Sequence, residues 1–329
     1  MYRRYVYVIE DITERATVLI PIRAIFDEQN MHQNDLCTKP LIGILCMDRK
    51  NTMREDICSY IDNSYVEYLE AGGAQVAPIW INKGPEYYNY MLNRINGILL
   101  PGGAVFVNEH DPARLELTNN CVRAVDMIIR IAKEKYKEGI HLPVWGTCLG
   151  FQLLILYTTS LATTTYGTDP REICKYMECL LPVDFLPDFR DSKLFAHLSH
   201  ELETIMRNEP FGHHRHKYCW TIELCKSFAD GWHVLAQNSD GNGTEFASIV
   251  EHRKYPFFGT QFHPESDCPE HCIKVREYLA KFFVDECRRC SNRFENAEEE
   301  RRHLIQNFPV EYEENKNIRA FGGCPDYPE

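Results

Sequence analysis

A cysteine framed by two glycines is the first feature of this chain able to do chemistry. Residues 143–152 read Pro-Val-Trp-Gly-Thr-Cys-Leu-Gly-Phe-Gln, an apolar strand that runs into Gly146-x-Cys148-x-Gly150 and at once into a helix. That is the pattern of a nucleophile elbow, where the reactive side chain sits on a sharp strand-to-helix turn. The flanking glycines let the backbone bend and let a substrate come close. A helix N-terminus beneath Cys148 favours the thiolate, which is the nucleophilic form. The backbone N–H of Leu149 then faces the position where an oxyanion develops. An isolated cysteine near a turn is more often a buried thiol, and it is the strand and helix signals around Cys148 that decide against that reading.

A nucleophile needs a base. Residues 257–265 read Phe-Phe-Gly-Thr-Gln-Phe-His-Pro-Glu, an apolar strand that delivers His263 at its C-terminal end with Glu265 two residues on. A general base must reach the nucleophile's proton, and a carboxylate behind it fixes the imidazole. A strand-end histidine is by itself more often structural; paired with an elbow it reads as the base. Pro101-Gly102-Gly103 follows the strand Ile98-Leu99-Leu100, where the Gly-Gly pair could offer a second oxyanion donor, with Gly102 on the substrate side. By itself Pro-Gly-Gly is only a turn.

The elements that must position these groups alternate along the chain. Leu41–Cys46, Gln75–Trp80, Gly97–Leu100 and Pro143–Gly146 read as strands, and Ser59–Glu70, Tyr87–Arg94 and Leu115–Lys137 as helices. Strands alternating with helices predict parallel βαβ units and a three-layer α/β/α sandwich around a central, mostly parallel sheet. In such sheets ligands lie at the carboxyl ends of the strands. Cys148, His263 and the Gly-Gly turn all fall at such ends. Beyond the helix from Leu149 the pattern turns irregular through Thr163–Thr168 and Leu180–Phe189. Three strands follow at His233–Asn238, Phe246–Glu251 and Phe257–Phe262, then a closing helix over Arg276–Arg289. Residues 1–39 read as an extension, 40–291 as the domain, and 292–329 as a charged tail that packs on the domain or trails from it.

Composition narrows the function. A formal net charge of −12 over 329 residues excludes a nucleic-acid partner, since phosphate binding needs a basic face. No run of 18 apolar residues is present, so no membrane span is expected. The 14 cysteines do not fall into a small disulfide scaffold, and their pairing is unreadable from spacing. Cys268 and Cys272 flank His271, and Cys287 and Cys290 sit on a helix without a knuckle turn, so no metal site is expected. No cofactor is implied either. The N-terminal run Ala16–Phe26 is broken by Pro21 and Arg23 and makes no convincing signal peptide. Asn242-Gly243-Thr244 is an acceptor sequon in a turn-like stretch.

Gly146-x-Cys148-x-Gly150 with His263-Pro264-Glu265 resembles the class I glutamine amidotransferase superfamily, which has a flavodoxin-like fold. Within it, three stretches are similar to the γ-glutamyl hydrolases, or folylpolyglutamate hydrolases: residues 143–151, residues 95–103 and Ser64-Tyr65-Val66-Glu67-Tyr68-Leu69-Glu70-Ala71-Gly72. The likeness runs from about Pro40 to Phe308. It implies hydrolysis of the γ-glutamyl tail of folate and antifolate polyglutamates through a thioester at Cys148. His263 would serve as base and then acid, Glu265 as its orienter, and Gly103 and Leu149 as the oxyanion hole. The stretch His216-Lys217-Tyr218 matches a family motif near the site, which makes His216 a candidate substrate contact. Gln152, also on the substrate side, stands where the hydrolases carry Glu and the amidotransferases Gln. The resemblance further implies a lysosomal or extracellular protein and a homodimer.

An acidic substrate is an awkward ligand for an acidic chain. The run His213-His214-Arg215-His216-Lys217 is the local answer: histidines of ordinary pKa are mostly cationic at about pH 5, and the segment is expected to draw in polyglutamate carboxylates there. Two other function classes stay open on sequence alone. One is a glutaminase feeding ammonia to a synthase, although no second catalytic domain fits in this chain. The other is a non-catalytic binding protein on the same scaffold, which has no need to keep Cys148, His263 and Glu265 together.

Overall fold

Strands that are apolar along their whole length must be covered on both faces, and the chain supplies helices for both. The computed structural model describes residues 37–49, 57–104, 120–159, 169–228, 231–313 and 315–322. The expected extension over residues 1–39 lies, up to Leu36, outside the described residues, as does Thr163–Thr168. In chain order come β1 (Leu41–Leu45), β2 (Met47–Asp48), β3 (Ile57–Asp62), α1 (Asn63–Ala71), β4 (Gln75–Ile79), α2 (Pro85–Leu92), β5 (Gly97–Leu100) and α3 (Asn120–Lys137). Next are β6 (Val144–Thr147), α4 (Leu149–Thr158), β7 (Glu172–Leu181), β8 (Asp184–Phe185), α5 (His200–Asn208), β9 (Gly212–Cys219) and α6 (Ile222–Ser227). The remainder are β10 (Trp232–Ser239), β11 (Glu245–His252), β12 (Phe257–Thr260), α7 (Ile273–Arg288), α8 (Ala297–Arg302), β13 (Glu311–Glu313) and β14 (Lys316–Gly322).

The central sheet has eight strands in the order β4-β1-β5-β6-β12-β11-β10-β8. The first five run parallel, and β11, β10 and β8 add antiparallel pairs at one side. This is the α/β architecture with a mostly parallel sheet that the alternation of elements predicted. Side-chain alternation shows the two covering layers directly. Trp145 on β6 and its register partner Phe258 on β12 stack on one face against Phe283 of α7 and Phe282. One residue on, Gly146 and Gly259 turn the opposite face to Phe151 of α4. Burying one large aromatic side chain removes 150–250 Å² from water, an upper figure of about 4–6 kcal/mol. The exposed Lys274–Glu201 ion pair that also ties down α7 contributes at most about 1 kcal/mol. Aromatic packing therefore holds this layer in place.

Two smaller sheets lie outside the central one. β13-β14-β3-β2 forms a four-stranded sheet in which the C-terminal β14 pairs antiparallel with β3. Trp80, Phe308 and Phe321 meet edge-to-face beneath it, so the charged C-terminal segment carries its own apolar anchors. β7 and β9 form a two-stranded ribbon joined by the Cys174–Cys219 disulfide.

Three readings of the sequence are corrected. The helix expected from Ser59 begins at Asn63, because the Asp62 side chain caps it by accepting the Ser64 N–H and the residues before it pair with β14. The stretch Leu180–Phe189 is not irregular throughout, since it holds the end of β7 and the bridge strand β8. The basic run His213–Lys217, read as one cluster, is strand β9, whose alternation divides it between two faces.

α4 enters between the ends of β5 and β6 at van der Waals limits. A Cβ on Gly150 would stand 2.0 Å from the Leu100 carbonyl oxygen, and the Gly150 N–H donates to the Pro101 carbonyl. Gly150→Ala is expected to lower the unfolding free energy by about 3 kcal/mol, the upper end for overpacking, because backbone rather than a side-chain tip must give way. Urea denaturation reads this, and an unchanged midpoint refutes the close packing.

Candidate active site

The parallel register of three strands brings the chemistry together. Leu100, the end of β5, pairs with Gly146, and Thr147, the end of β6, pairs with Thr260, the end of β12. The residues that follow each end therefore gather at one edge: the Pro101–Gly103 turn, Cys148, and His263. Cys148 is buried and takes φ +50° and ψ −106°. A residue with a β-carbon is strained there, and such strain gathers at functional turns. Its N–H donates to the Thr260 carbonyl at 2.8 Å, and its carbonyl accepts from the Gln152 N–H at 3.0 Å. The sulfur is close enough to His263 to raise that ring's pKa and lies 3.8 Å from the Arg215 carbonyl oxygen. Among the described residues neither the Gly103 nor the Leu149 N–H has a partner.

His263 is fixed from three sides. Its N–H donates to the His213 carbonyl at 2.9 Å. Its Nδ1 lies 2.6 Å from Oε1 of the buried Glu265, which assigns the Nδ1 proton to that bond and leaves Nε2 as the nitrogen free for proton transfer. Burial works against a charged imidazole, yet Glu265 and then Cys148 outweigh it and hold the His263 pKa well above the ordinary histidine value. A cysteine beside a histidine that is itself braced by a carboxylate suits attack on an acyl carbon.

Tyr65 of α1 completes the cluster. Its hydroxyl accepts the Gly102 N–H at 2.8 Å and lies 3.3 Å from His263 Nδ1. Burial and the Glu265 charge raise the phenol pKa well above its usual value, so its own proton stays and points to the His263–Glu265 pair. Gly102 has no room for a side chain: a Cβ would meet His263 Cε1 at 2.5 Å, Tyr65 Oη at 3.0 Å and Cys148 Cβ at 3.2 Å. In the sequence Tyr65 is one aromatic on a helix's apolar face. The only available signal was that a buried tyrosine hydroxyl must find a partner.

Cys148, His263, Glu265, Gly102, Gly103 and Leu149 are thus brought together, while Gln152 and His216 are not. The buried Gln152 amide is fully engaged: Nε2 donates to the Tyr218 carbonyl at 2.7 Å and to Gln261 Oε1 at 3.0 Å, and Oε1 accepts from Arg171 at 2.5 Å. It clasps α4 to β9 and has nothing left for a substrate. His216 faces inward, with Nε2 3.0 Å from His214 Nδ1 and its ring against Phe246. Burial and the nearby His263 bring its pKa down to about 4, burial and His216 push His214 well below the usual value, and burial and His263 lower His213. The expected cationic histidine cluster is therefore corrected. Desolvation disfavours the charged rings, and His214 and His216 serve as neutral core.

Comparison with known proteins agrees with this geometry. The peptidase C26 family model matches residues 40–265. The gamma-glutamyl hydrolase of Homo sapiens is 32% identical over 90% of this chain and 92% of its own length. That of Bos taurus is 33% identical over 86% and 88%, and gamma-glutamyl hydrolase 1 of Arabidopsis thaliana is 26% identical over 90% and 86%.

Two substitutions test the cluster. Tyr65→Phe should lower kcat roughly 10-fold, the size of one hydrogen bond to a charged group, with the urea midpoint little changed; an unaltered kcat assigns Tyr65 to the core alone. Glu265→Gln removes the charge that holds the proton on His263, so that proton leaves at lower pH. The alkaline limb of kcat/KM should move to lower pH, and a fixed limb contradicts the assignment.

Proposed function

The chain belongs to the peptidase C26 family, and on that premise we propose that it hydrolyses γ-glutamyl bonds in folate and antifolate polyglutamates. The observation that carries this reading is the strained Cys148 beside a partly buried histidine that is itself bound to Glu265. The Cys148 thiolate attacks the γ-carbonyl carbon, and the oxygen that gains the charge lies between the N–H groups of Gly103 and Leu149. When the tetrahedral adduct collapses, His263 gives its proton to the departing amino nitrogen of the next glutamate. A thioester remains on Cys148. Water then attacks it, His263 accepts the water's proton, and the acid leaves as the thiolate re-forms. Glu265 keeps the imidazole oriented and stabilises its charge throughout, and Tyr65 joins that pair to the oxyanion turn.

The reaction is checked by incubating the protein with a pteroylpolyglutamate and, separately, with free glutamine, following products by mass spectrometry. Release of glutamate or short polyglutamates without ammonia is expected. Cys148→Ala should lower turnover by about 10³-fold or more while keeping substrate binding and the urea midpoint. Ammonia from glutamine would mark an amidotransferase-type glutaminase, and binding without turnover by the intact protein would mark a non-catalytic module.

A further inference from the structure

Strand β9 runs along the site in a fixed register. The His213 carbonyl accepts the His263 N–H, and the Arg215 carbonyl lies 3.8 Å from the Cys148 sulfur. Alternate residues of a strand point to opposite faces. His214 and His216 are buried inward, whereas Arg215 and Lys217 are exposed on the other face, which they share with the half-buried His213. That face adjoins the catalytic pair, for the His213 and His263 ring centroids are 6.3 Å apart. The one acidic partner of Arg215 among the described residues is Glu178, across the ribbon at 3.7 Å with both side chains more than half exposed. Lys217 has none among them. In a chain of net charge −12, two outward cations on one strand beside the nucleophile stand out from their surroundings.

Their spacing has a chemical match. Residues i and i+2 of a strand lie about 6.6–6.8 Å apart. An α-linked residue has three chain atoms and spans roughly 3.3–3.6 Å. A γ-linked glutamyl residue has five, so it spans roughly 6 Å by the same scaling, and each bears one free α-carboxylate. A γ-glutamyl tail laid along β9 therefore offers one carboxylate per outward position.

Resting on the function proposed for this site, we propose that the outward face of β9 is the subsite for the polyglutamate tail. Arg215 takes the α-carboxylate nearest the scissile bond and Lys217 takes the next one along. Arginine grips a carboxylate through two N–H groups and lysine acts as a point charge, so Arg215 sets register and Lys217 favours longer tails.

The test is kcat/KM on γ-glutamyl substrates carrying two and five glutamates. The ratio of the longer to the shorter should fall about 10-fold in an Arg215→Gln/Lys217→Gln double variant, through KM rather than kcat. Arg215→Lys should recover part of it. In the wild type, raising salt from about 0.05 to 0.5 M should compress the same ratio, because exposed charges are screened. A ratio unmoved by both the substitutions and salt overturns the proposal. If the wild type cleaves neither substrate, the hydrolase reading fails, and the tail subsite is then judged by Kd for the pentaglutamate in the Cys148→Ala protein. Equal Kd with and without the two cations also overturns it.

Discussion

A cysteine at positive φ is the constraint on which this structure turns. Such a backbone conformation costs roughly 1–3 kcal/mol and persists only where its surroundings overdetermine it. Here they do so from both sides. The Cys148 N–H is tied to Thr260 at the end of one strand, and the helix that follows is tied to Pro101 beyond another through Gly150. α4 is buried along its whole length apart from Tyr157, so it behaves as a core element rather than as a surface helix with one apolar face. Shifting the cysteine to a relaxed conformation means moving that helix out of a close-packed interior. The strain is held by that buried helix, and it is what turns the sulfur out of the strand.

Electrostatics then work within that frame. Burying an imidazolium is unfavourable unless it is paired and hydrogen-bonded, and breaking a buried pair is worse than never forming it. His263 has Glu265 on Nδ1, and Glu265 and then Cys148 outweigh the effect of burial on its charge. Tyr65 matters because it gives that pair a protonated neighbour while accepting the Gly102 N–H. One hydroxyl couples the position of the base to that of the oxyanion turn. The missing side chain at Gly102 is what permits so close an approach.

Much of this was legible in the residues themselves. The elbow is local: Gly-x-Cys-x-Gly between a strand and a helix describes its own turn, and a histidine at a strand end followed by Glu describes a braced base. Parallel strands bring their carboxyl ends to one edge, so two motifs 115 positions apart, Cys148 and His263, had to meet. What could not be read depends on partners distant in sequence. The start of α1 was misjudged because Ile57–Asp62 is a strand held between β2 and β14, the latter more than 250 residues later. Tyr65 looked like core for the same reason, since its partners Gly102 and His263 come from other elements. Gln152 was placed on the substrate side by the family resemblance, and only the arrangement of Arg171, Gln261 and Tyr218 around it uses up its amide.

The run His213–Lys217 shows how a secondary structure can reverse a compositional reading. As a loop, five basic residues would act together as a patch, and their histidines would charge as pH falls. As a strand, a period of two divides them. The inward pair is desolvated and loses affinity for protons, so near neutral pH it offers an anion no charge. The outward face carries the arginine and the lysine. Whatever attraction this segment exerts on an acidic ligand is therefore geometric. It is set by the repeat of a strand rather than by the titration of a cluster, and a strand can only match a ligand whose own charges repeat at about the same distance.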